Sequence, residues 1–119
     1  MNYVDGLVLP VPRRNLARYR QMARKCGKVW REHGALRYVE SVADDVKPGK
    51  HTSFPQSVKL KRGEVVVFSY IMYKSRKHRD RVMAKVMKDP RLQKFMNPKA
   101  MPFDGKRMFW GGFKPIVEL

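Results

Sequence analysis

Cysteine is almost absent from this 119-residue chain, which contains only Cys26. A single cysteine cannot form an intrachain disulfide, and the paired-cysteine motifs that bind zinc or carry out redox chemistry are excluded. The sequence also lacks a GxGxxG dinucleotide motif, a Walker loop and a GxSxG nucleophile motif. These absences exclude the enzyme classes that are most easily recognised from sequence, and nothing in the chain predicts a cofactor.

Long hydrophobic runs are missing as well. No apolar stretch approaches the roughly 20 residues that a membrane-spanning helix needs. The segment Met1–Pro12 lacks the basic start and the small-residue cleavage site of a secretory signal. We therefore expect a soluble cytoplasmic protein without a membrane partner. A length of 119 residues is typical of one domain, and we assign residues 1–119 to a single domain.

Acidic residues are scarce relative to basic ones. The chain has 10 Asp and Glu against 27 Lys and Arg, which gives a formal net charge of +17 at pH 7. Nine basic residues lie between Arg13 and Arg37, and nine more lie between Lys74 and Lys94. A field of this sign attracts polyanions such as nucleic acid. The alternative is that these charges form only a solvated helix surface, as charged helix faces usually do.

Hydrophobic periodicity predicts the element order βαββαβ. Stretches rich in β-branched and aromatic residues alternate with stretches that carry an apolar helical stripe. The predicted elements are a strand at Tyr3–Val11, a helix from Arg13 to a cap at Gly34, a strand at Ala35–Ala43, a short strand near Gln56–Leu60, a strand at Glu64–Tyr73, a helix after the cap Ser75 with Val82, Met83, Val86 and Met87 buried, a helical turn around Leu92, and a final strand within Lys106–Val117 that Gly111 and Gly112 interrupt.

That order is the split βαβ arrangement of the ferredoxin-like folds. It belongs to the α+β class and places two helices on one face of a four-stranded antiparallel sheet. The strongest predicted strand, Glu64–Tyr73, is apolar on both sides, with Phe68 on one side and Val67 on the other. A sheet with one face in water should alternate apolar with polar residues. We therefore expect a second copy of the chain to cover the face opposite the helices.

Three segments resemble a known family: YVDG at Tyr3–Gly6, HGALRYVE at His33–Glu40, and MPFDGKRMFWGGF at Met101–Phe113. They are similar to the YbaA-like proteins, a bacterial family of uncharacterised function in the dimeric α+β-barrel superfamily. The resemblance implies a homodimer in which two ferredoxin-like sheets face each other and form a barrel. It does not imply an activity, because the superfamily includes monooxygenases, haem-degrading enzymes and binding modules.

The long final motif supplies three candidate pocket residues, Asp104, Arg107 and Trp110. One interpretation is structural: Asp104 caps a turn or pairs with Arg107, and a glycine bulge follows. The other is functional: the motif forms a polar cluster at the mouth of a small apolar pocket, with His33 and Glu40 as its neighbours. The sequence leaves both interpretations open.

Other reactive side chains have simpler interpretations. Cys26 lies on the apolar stripe of the first predicted helix, where a buried thiol behaves as a small hydrophobic group. The three histidines, His33, His51 and His78, lack the spacing of a metal site, so no metal is expected. The eight methionines are interpreted as core residues rather than as the lining of an adaptable pocket.

The two basic helices are expected to share one layer and so to form a basic face. An aromatic RNA-recognition strand is rejected, because the glycines and aromatics of Gly105–Phe113 stand in a different order and a dimer would cover that face of the sheet. Phosphate contacts made by the helix face remain as the mode of nucleic-acid binding. The candidate residues are Arg18, Arg24, Lys28, Arg76, Arg81 and Lys85.

Three functions therefore stay open. The leading hypothesis is a homodimeric protein that binds a small ligand of unknown identity or acts as an accessory protein. An enzyme related to the monooxygenases of the superfamily is the second hypothesis. The third is a protein that binds nucleic acid nonspecifically through its basic helices.

Overall fold

A computed structural model describes residues 1–119 and shows an α+β fold built on one antiparallel sheet. The sheet has four strands in the order β2-β3-β1-β4, and the two long helices pack on one face. This is the strand order of the split βαβ arrangement, so the predicted fold class is confirmed. The elements are β1 at Tyr3–Pro12, α1 at Leu16–Glu32, β2 at Arg37–Val42, α2 at Phe54–Ser57, β3 at Glu64–Tyr73, α3 at Arg76–Lys88, α4 at Pro90–Phe95 and β4 at Phe109–Phe113.

Local sequence determines where the two long helices begin and end. The backbone after α1 turns at Gly34, whose φ of +118° lies in the region that favours glycine. α3 begins after Ser75, whose hydroxyl accepts a hydrogen bond from the backbone N–H of His78 at 3.1 Å. Both capping residues were predicted from the sequence, and both predictions are confirmed. None of the helices combines the length and the apolar character needed to cross a membrane.

The core lies between the sheet and the helices. β3 and β1 are the central strands, and every second residue of each points toward α1 and α3. Burying one such large apolar side chain contributes about 1.5–3 kcal/mol. The predicted stripe of α3 is confirmed at Val82 and Val86 but wrong at Met87, which is exposed. The core side chains are Leu9, Val11, Val67, Ile71 and Tyr73 from the sheet, Tyr19, Ala23, Cys26 and Val29 from α1, and Val82 and Val86 from α3.

The opposite face of the sheet carries apolar side chains without a layer above most of them. Phe68 is 42% exposed, Phe109 47% and Phe113 63%. Only one end of this face is covered, where Val58 packs against the sheet. The molecule is correspondingly thin, with a shortest dimension of 20 Å. We call this surface the open face; it consists of Val4, Phe68, Tyr70, Met72, Phe109 and Phe113.

Two further local predictions are wrong. The segment predicted as a short strand, Gln56–Leu60, instead begins within the helical turn α2 and continues as a turn, because Ser53 accepts a hydrogen bond from the Gln56 N–H and starts a helix. The final strand is also not interrupted by its glycines, since Gly111 pairs with Gly6 in a continuous ladder. A glycine is needed at position 112 because a Cβ there would overlap the side chains that lie above it.

Candidate ligand-binding groove

The structure does not bring the five candidate pocket residues together. Asp104 accepts a hydrogen bond from the Lys106 N–H at 3.0 Å and pairs with Arg107 Nε at 3.0 Å. The Arg107 guanidinium also donates to both carboxylate oxygens of Glu64, at 2.7 and 2.6 Å, and to the carbonyl of Lys59 at 3.1 Å. Arg107 holds the pKa of the Glu64 and Asp104 carboxyl groups below their ordinary values. Asp104 therefore caps a turn and pairs with Arg107, as the structural interpretation of the final motif expects.

His33 and Trp110 lie elsewhere. His33 follows the last residue of α1, and its Nε2 lies 2.8 Å from Asp89 Oδ2. Arg91 and then His33 lower the pKa of the Asp89 carboxyl. Trp110 stands on the edge strand β4, where its side chain is exposed. The neighbourhood expected around Asp104 is therefore wrong in its geometry, while ligand binding by any of these side chains stays a prediction.

A concave surface lies between α1 and the edge strand β2. We call it the α1–β2 groove; its volume is about 850 Å³. Its walls are partly apolar and its rim is basic, and Glu40 is the one acidic residue that lines it. Of the five candidate pocket residues, only Glu40 belongs to it. The lining residues that the argument uses are Tyr19, Arg20, Arg24, Gly27, Lys28 and Tyr38 together with Glu40.

Glu40 lies between two tyrosine hydroxyls. Tyr19 donates to Glu40 Oε2 at 2.7 Å, and Tyr38 donates to Oε1 at 3.0 Å. Burial raises the pKa of the Glu40 carboxyl, and the two hydroxyl donors oppose this effect only in part. Burial, with the nearby Glu40 charge, also raises the pKa of both tyrosines, so they remain neutral donors at pH 7. The result is a carboxylate held in a fixed position by two phenols.

The basic side of the groove comes from one face of α1. Arg20, Arg24 and Lys28 follow each other at intervals of four residues, which places them in a row along a helix. All three are exposed and make no salt bridge within 4.0 Å. A fourth lining residue, Arg31, is already occupied by the backbone carbonyls of Ala35 and Leu36. Three cations are therefore free to meet an anion.

Close packing at Gly27 sets the distance between α1 and β2. A Cβ at this position would lie 2.6 Å from Cδ1 of Tyr38. No side chain larger than hydrogen fits there unless the Tyr38 ring moves. Gly27 thus allows the helix to pack directly on the ring that holds Glu40.

The six polyanion candidates all lie on exposed helix surface. α1 and α3 pack beside each other, as the expectation of one basic layer requires. Two of the six are also otherwise engaged, because Arg18 donates to the carbonyl of Ala100 at 3.0 Å and Arg76 lies 3.9 Å from Asp80. Two others, Arg24 and Lys28, line the α1–β2 groove. Binding of nucleic acid by this layer stays a prediction.

The thiol of Cys26 is buried in the core, where desolvation raises its pKa to about 11. A thiol with so high a pKa is a poor nucleophile at neutral pH. No group of three or more His, Cys, Asp or Glu side chains in the structure is arranged to hold a metal ion.

Sequence reasoning missed most of the groove. The ring of Tyr19 packs in the core as an apolar helix residue, but the partner of its hydroxyl depends on which strand lies beside the helix. Tyr38 carried no signal beyond strand propensity. The i, i+4 row of Arg20, Arg24 and Lys28 was visible in the sequence, and only its proximity to Glu40 required the tertiary structure.

Comparison with known proteins adds the family. A solved structure of the de novo designed protein Foldit4 is similar in fold, with a TM-score of 0.50 and 11% sequence identity over 97% of this chain and 99% of that one. The chain is 48% identical over 118 residues to the uncharacterized protein YbaA of Escherichia coli (strain K12), with 99% of each chain covered. The YbaA protein of Shigella flexneri matches to the same extent. Residues 2–105 match the model of a protein family of unknown function, DUF1428. The chain therefore belongs to the DUF1428 family, which confirms its resemblance to the YbaA-like proteins.

Proposed function

We propose that this protein is a homodimeric binding protein for small organic anions, with the α1–β2 groove as its ligand site. The observation that carries the proposal is the row of free cations, Arg20, Arg24 and Lys28, beside partly apolar walls. Ligand sites typically combine apolar walls with a few fixed polar groups, in a volume of about 300–1,000 Å³. The groove, at about 850 Å³, falls within this range.

Dimer formation is the second part of the proposal. The open face exposes phenylalanine side chains from both β3 and β4. Monomeric proteins rarely expose a contiguous apolar surface of this kind, and such a surface commonly marks a protein interface. A second copy offers the same apolar face and would leave both grooves free, because each groove lies on the helix side of its sheet.

Titration with a small aromatic anion tests the groove. We expect 2-naphthoate to bind to the wild-type protein, as measured by isothermal titration calorimetry. The double variant Arg24→Gln/Lys28→Gln should weaken this binding about tenfold or more, since an interaction with a charged partner is worth about 1.5–3 kcal/mol.

The matched control is Arg81→Gln/Lys85→Gln, which removes two exposed cations from α3, outside the groove. It should leave the affinity for 2-naphthoate within about twofold, because exposed charges at a distance are largely screened at physiological salt. An equal loss in both double variants would mean that 2-naphthoate responds only to the net charge, and the groove would be abandoned as the ligand site.

Nucleic acid is a second candidate partner, favoured by the exposed cations that α1 and α3 present on one layer. Each phosphate contact should contribute a slope of about −0.9 to the dependence of log affinity on log salt concentration. The triple variant Arg76→Glu/Arg81→Glu/Lys85→Glu should reduce the slope measured on a duplex by fluorescence anisotropy. If RNA and DNA binding both disappear by about 150 mM salt, where the Debye length is near 8 Å, the nucleic-acid function should be rejected.

A further inference from the structure

Glu40 is the exception among the acidic residues that are buried or half-buried. Five acidic residues belong to this group: Asp5, Glu40, Glu64, Asp89 and Asp104. Four of them have a cationic partner within 4.0 Å, namely Arg79 for Asp5, Arg107 for Glu64 and Asp104, and Arg91 for Asp89. Glu40 has none, although three free cations line the same groove.

Hydrogen bonds within the protein do not fill all the acceptor positions of the Glu40 carboxylate. A carboxylate offers about four lone-pair positions, and the hydroxyls of Tyr19 and Tyr38 use one on each oxygen. The remaining acceptor capacity belongs to a residue that lines the groove. Because an unmatched acceptor position on a partly buried carboxylate is costly, a ligand that donates a hydrogen bond to Glu40 gains more than one that leaves this position unmatched.

The groove therefore carries two unlike recognition groups, an acceptor between the tyrosines and a row of cations along α1. We propose that the ligand class is organic anions that also bear a hydroxyl or amino group, with the anion at Arg24 and Lys28, the donor at Glu40 and an apolar body between them. This inference rests on the proposed function and names the chemistry of the same site. A carboxylate in the groove disfavours a second anionic group beside it, so dianions should bind less tightly than monoanions that bear a hydroxyl or amino group.

Three matched probes test this assignment: 6-hydroxy-2-naphthoate, which has both groups, 2-naphthoate, which lacks the donor, and 2-naphthol, which lacks the anion. We expect the hydroxynaphthoate to bind to the wild-type protein about tenfold more tightly than 2-naphthoate, since a hydrogen bond to a charged group is worth about that factor or more. Its advantage over 2-naphthol should be at least as large.

Two variants separate the two recognition groups. Glu40→Gln should reduce the advantage of the hydroxynaphthoate over 2-naphthoate to about twofold or less, while 2-naphthoate binds as well as before or better because the negative charge is gone. Arg24→Gln/Lys28→Gln should weaken both naphthoates and leave 2-naphthol unchanged. Circular dichroism of each variant checks that the fold is retained. Tyr38→Phe keeps the ring and the Glu40 charge but frees a second acceptor position on the carboxylate, so it should keep or enlarge the advantage of the hydroxynaphthoate.

The outcomes distinguish this inference from the proposed function. If the two naphthoates bind equally to the wild-type protein, and both lose affinity in the Arg24→Gln/Lys28→Gln variant, the role of Glu40 is refuted and the anion site stands. If neither naphthoate binds at millimolar concentration, both proposals fall. An advantage of the hydroxynaphthoate that survives in Glu40→Gln also refutes the donor assignment.

Discussion

Arg107 shows how one residue can link distant parts of the chain. Its guanidinium joins Asp104 in the final motif, Glu64 at the start of β3 and the carbonyl of Lys59 in the loop before it. The side chains of Arg107 and Glu64 are only 13% and 9% exposed, so the pair is shielded from much of the solvent. This network explains the polar part of the motif without a ligand.

Removing this guanidinium should lower stability in a pH-dependent way. We expect Arg107→Met to reduce the free energy of unfolding by about 1–2 kcal/mol at pH 7, because Glu64 loses its charged donor at a site partly screened by water. Arg107 lowers the pKa of Glu64 below 4.5, so the stabilisation is present above about pH 4.5 and is lost as the pH falls through the lowered value.

Urea unfolding of both proteins at pH 7 and pH 3 measures the effect. The difference between wild type and Arg107→Met should shrink at pH 3, and Arg62→Met, which removes an exposed arginine, should change little at either pH. A difference that stays constant with pH would show that Arg107 acts through packing rather than through its charge.

At the scale of elements, the contact between α1 and β2 depends on Gly27. Replacing glycine by alanine inside an exposed helix normally stabilises it by about 1 kcal/mol. We expect the opposite sign for Gly27→Ala, a loss of about 1–3 kcal/mol, because the new methyl group would overlap the Tyr38 ring. Urea denaturation gives the sign directly.

The control is Ala84→Gly on the exposed side of α3, which measures only the difference in helix propensity between alanine and glycine. It should lower the free energy of unfolding by about 1 kcal/mol. An increase in stability for Gly27→Ala would mean that Tyr38 can move aside without loss. In that case the position of Glu40 would not depend on close helix packing.

Most elements could be predicted from the sequence because their signals are local. The bounds of β3 follow from a run rich in β-branched and aromatic residues, and the start of α3 follows from Ser75 as a cap. The error near Gln56 came from weak strand propensity, although Ser53 and Gln56 have the spacing of a capping box. The groove could not be predicted because the position of α1 over β2 is a tertiary contact. Glu40 was selected from its motif, while its two tyrosine partners were identified only in the fold.

At the scale of the whole molecule, the open face makes a specific prediction about assembly. Neighbouring positions 67 and 68 point to opposite sides of β3, with Val67 in the core and Phe68 on the open face. We expect Phe68→Asp to give a folded monomer, because the charge would be buried only in the dimer. Val67→Asp should instead unfold the chain, since its charge would lie in the core of each protomer.

Light scattering coupled to size exclusion, together with circular dichroism, separates the two results. The wild-type protein should be a dimer at micromolar concentration, with an interface on the order of 2,000 Å² or more. A wild-type monomer at that concentration would refute the assembly. Equal unfolding of both variants would mean that Phe68 stabilises the protomer itself.

The burial of Cys26 makes the rate of thiol labelling a measure of how often α1 moves away from the sheet. Each chain carries one thiol, and that thiol lies on the side of α1 that packs in the core. Cys26 is 8% exposed, so a thiol reagent should react with it slowly in the closed protein and faster when α1 moves away from the sheet. A ligand bound in the neighbouring groove would stabilise the contact between α1 and the sheet and slow the labelling of Cys26. Ligand binding to the groove could thus be detected from the labelling rate of the unmodified protein, without attaching a dye or knowing the ligand in advance.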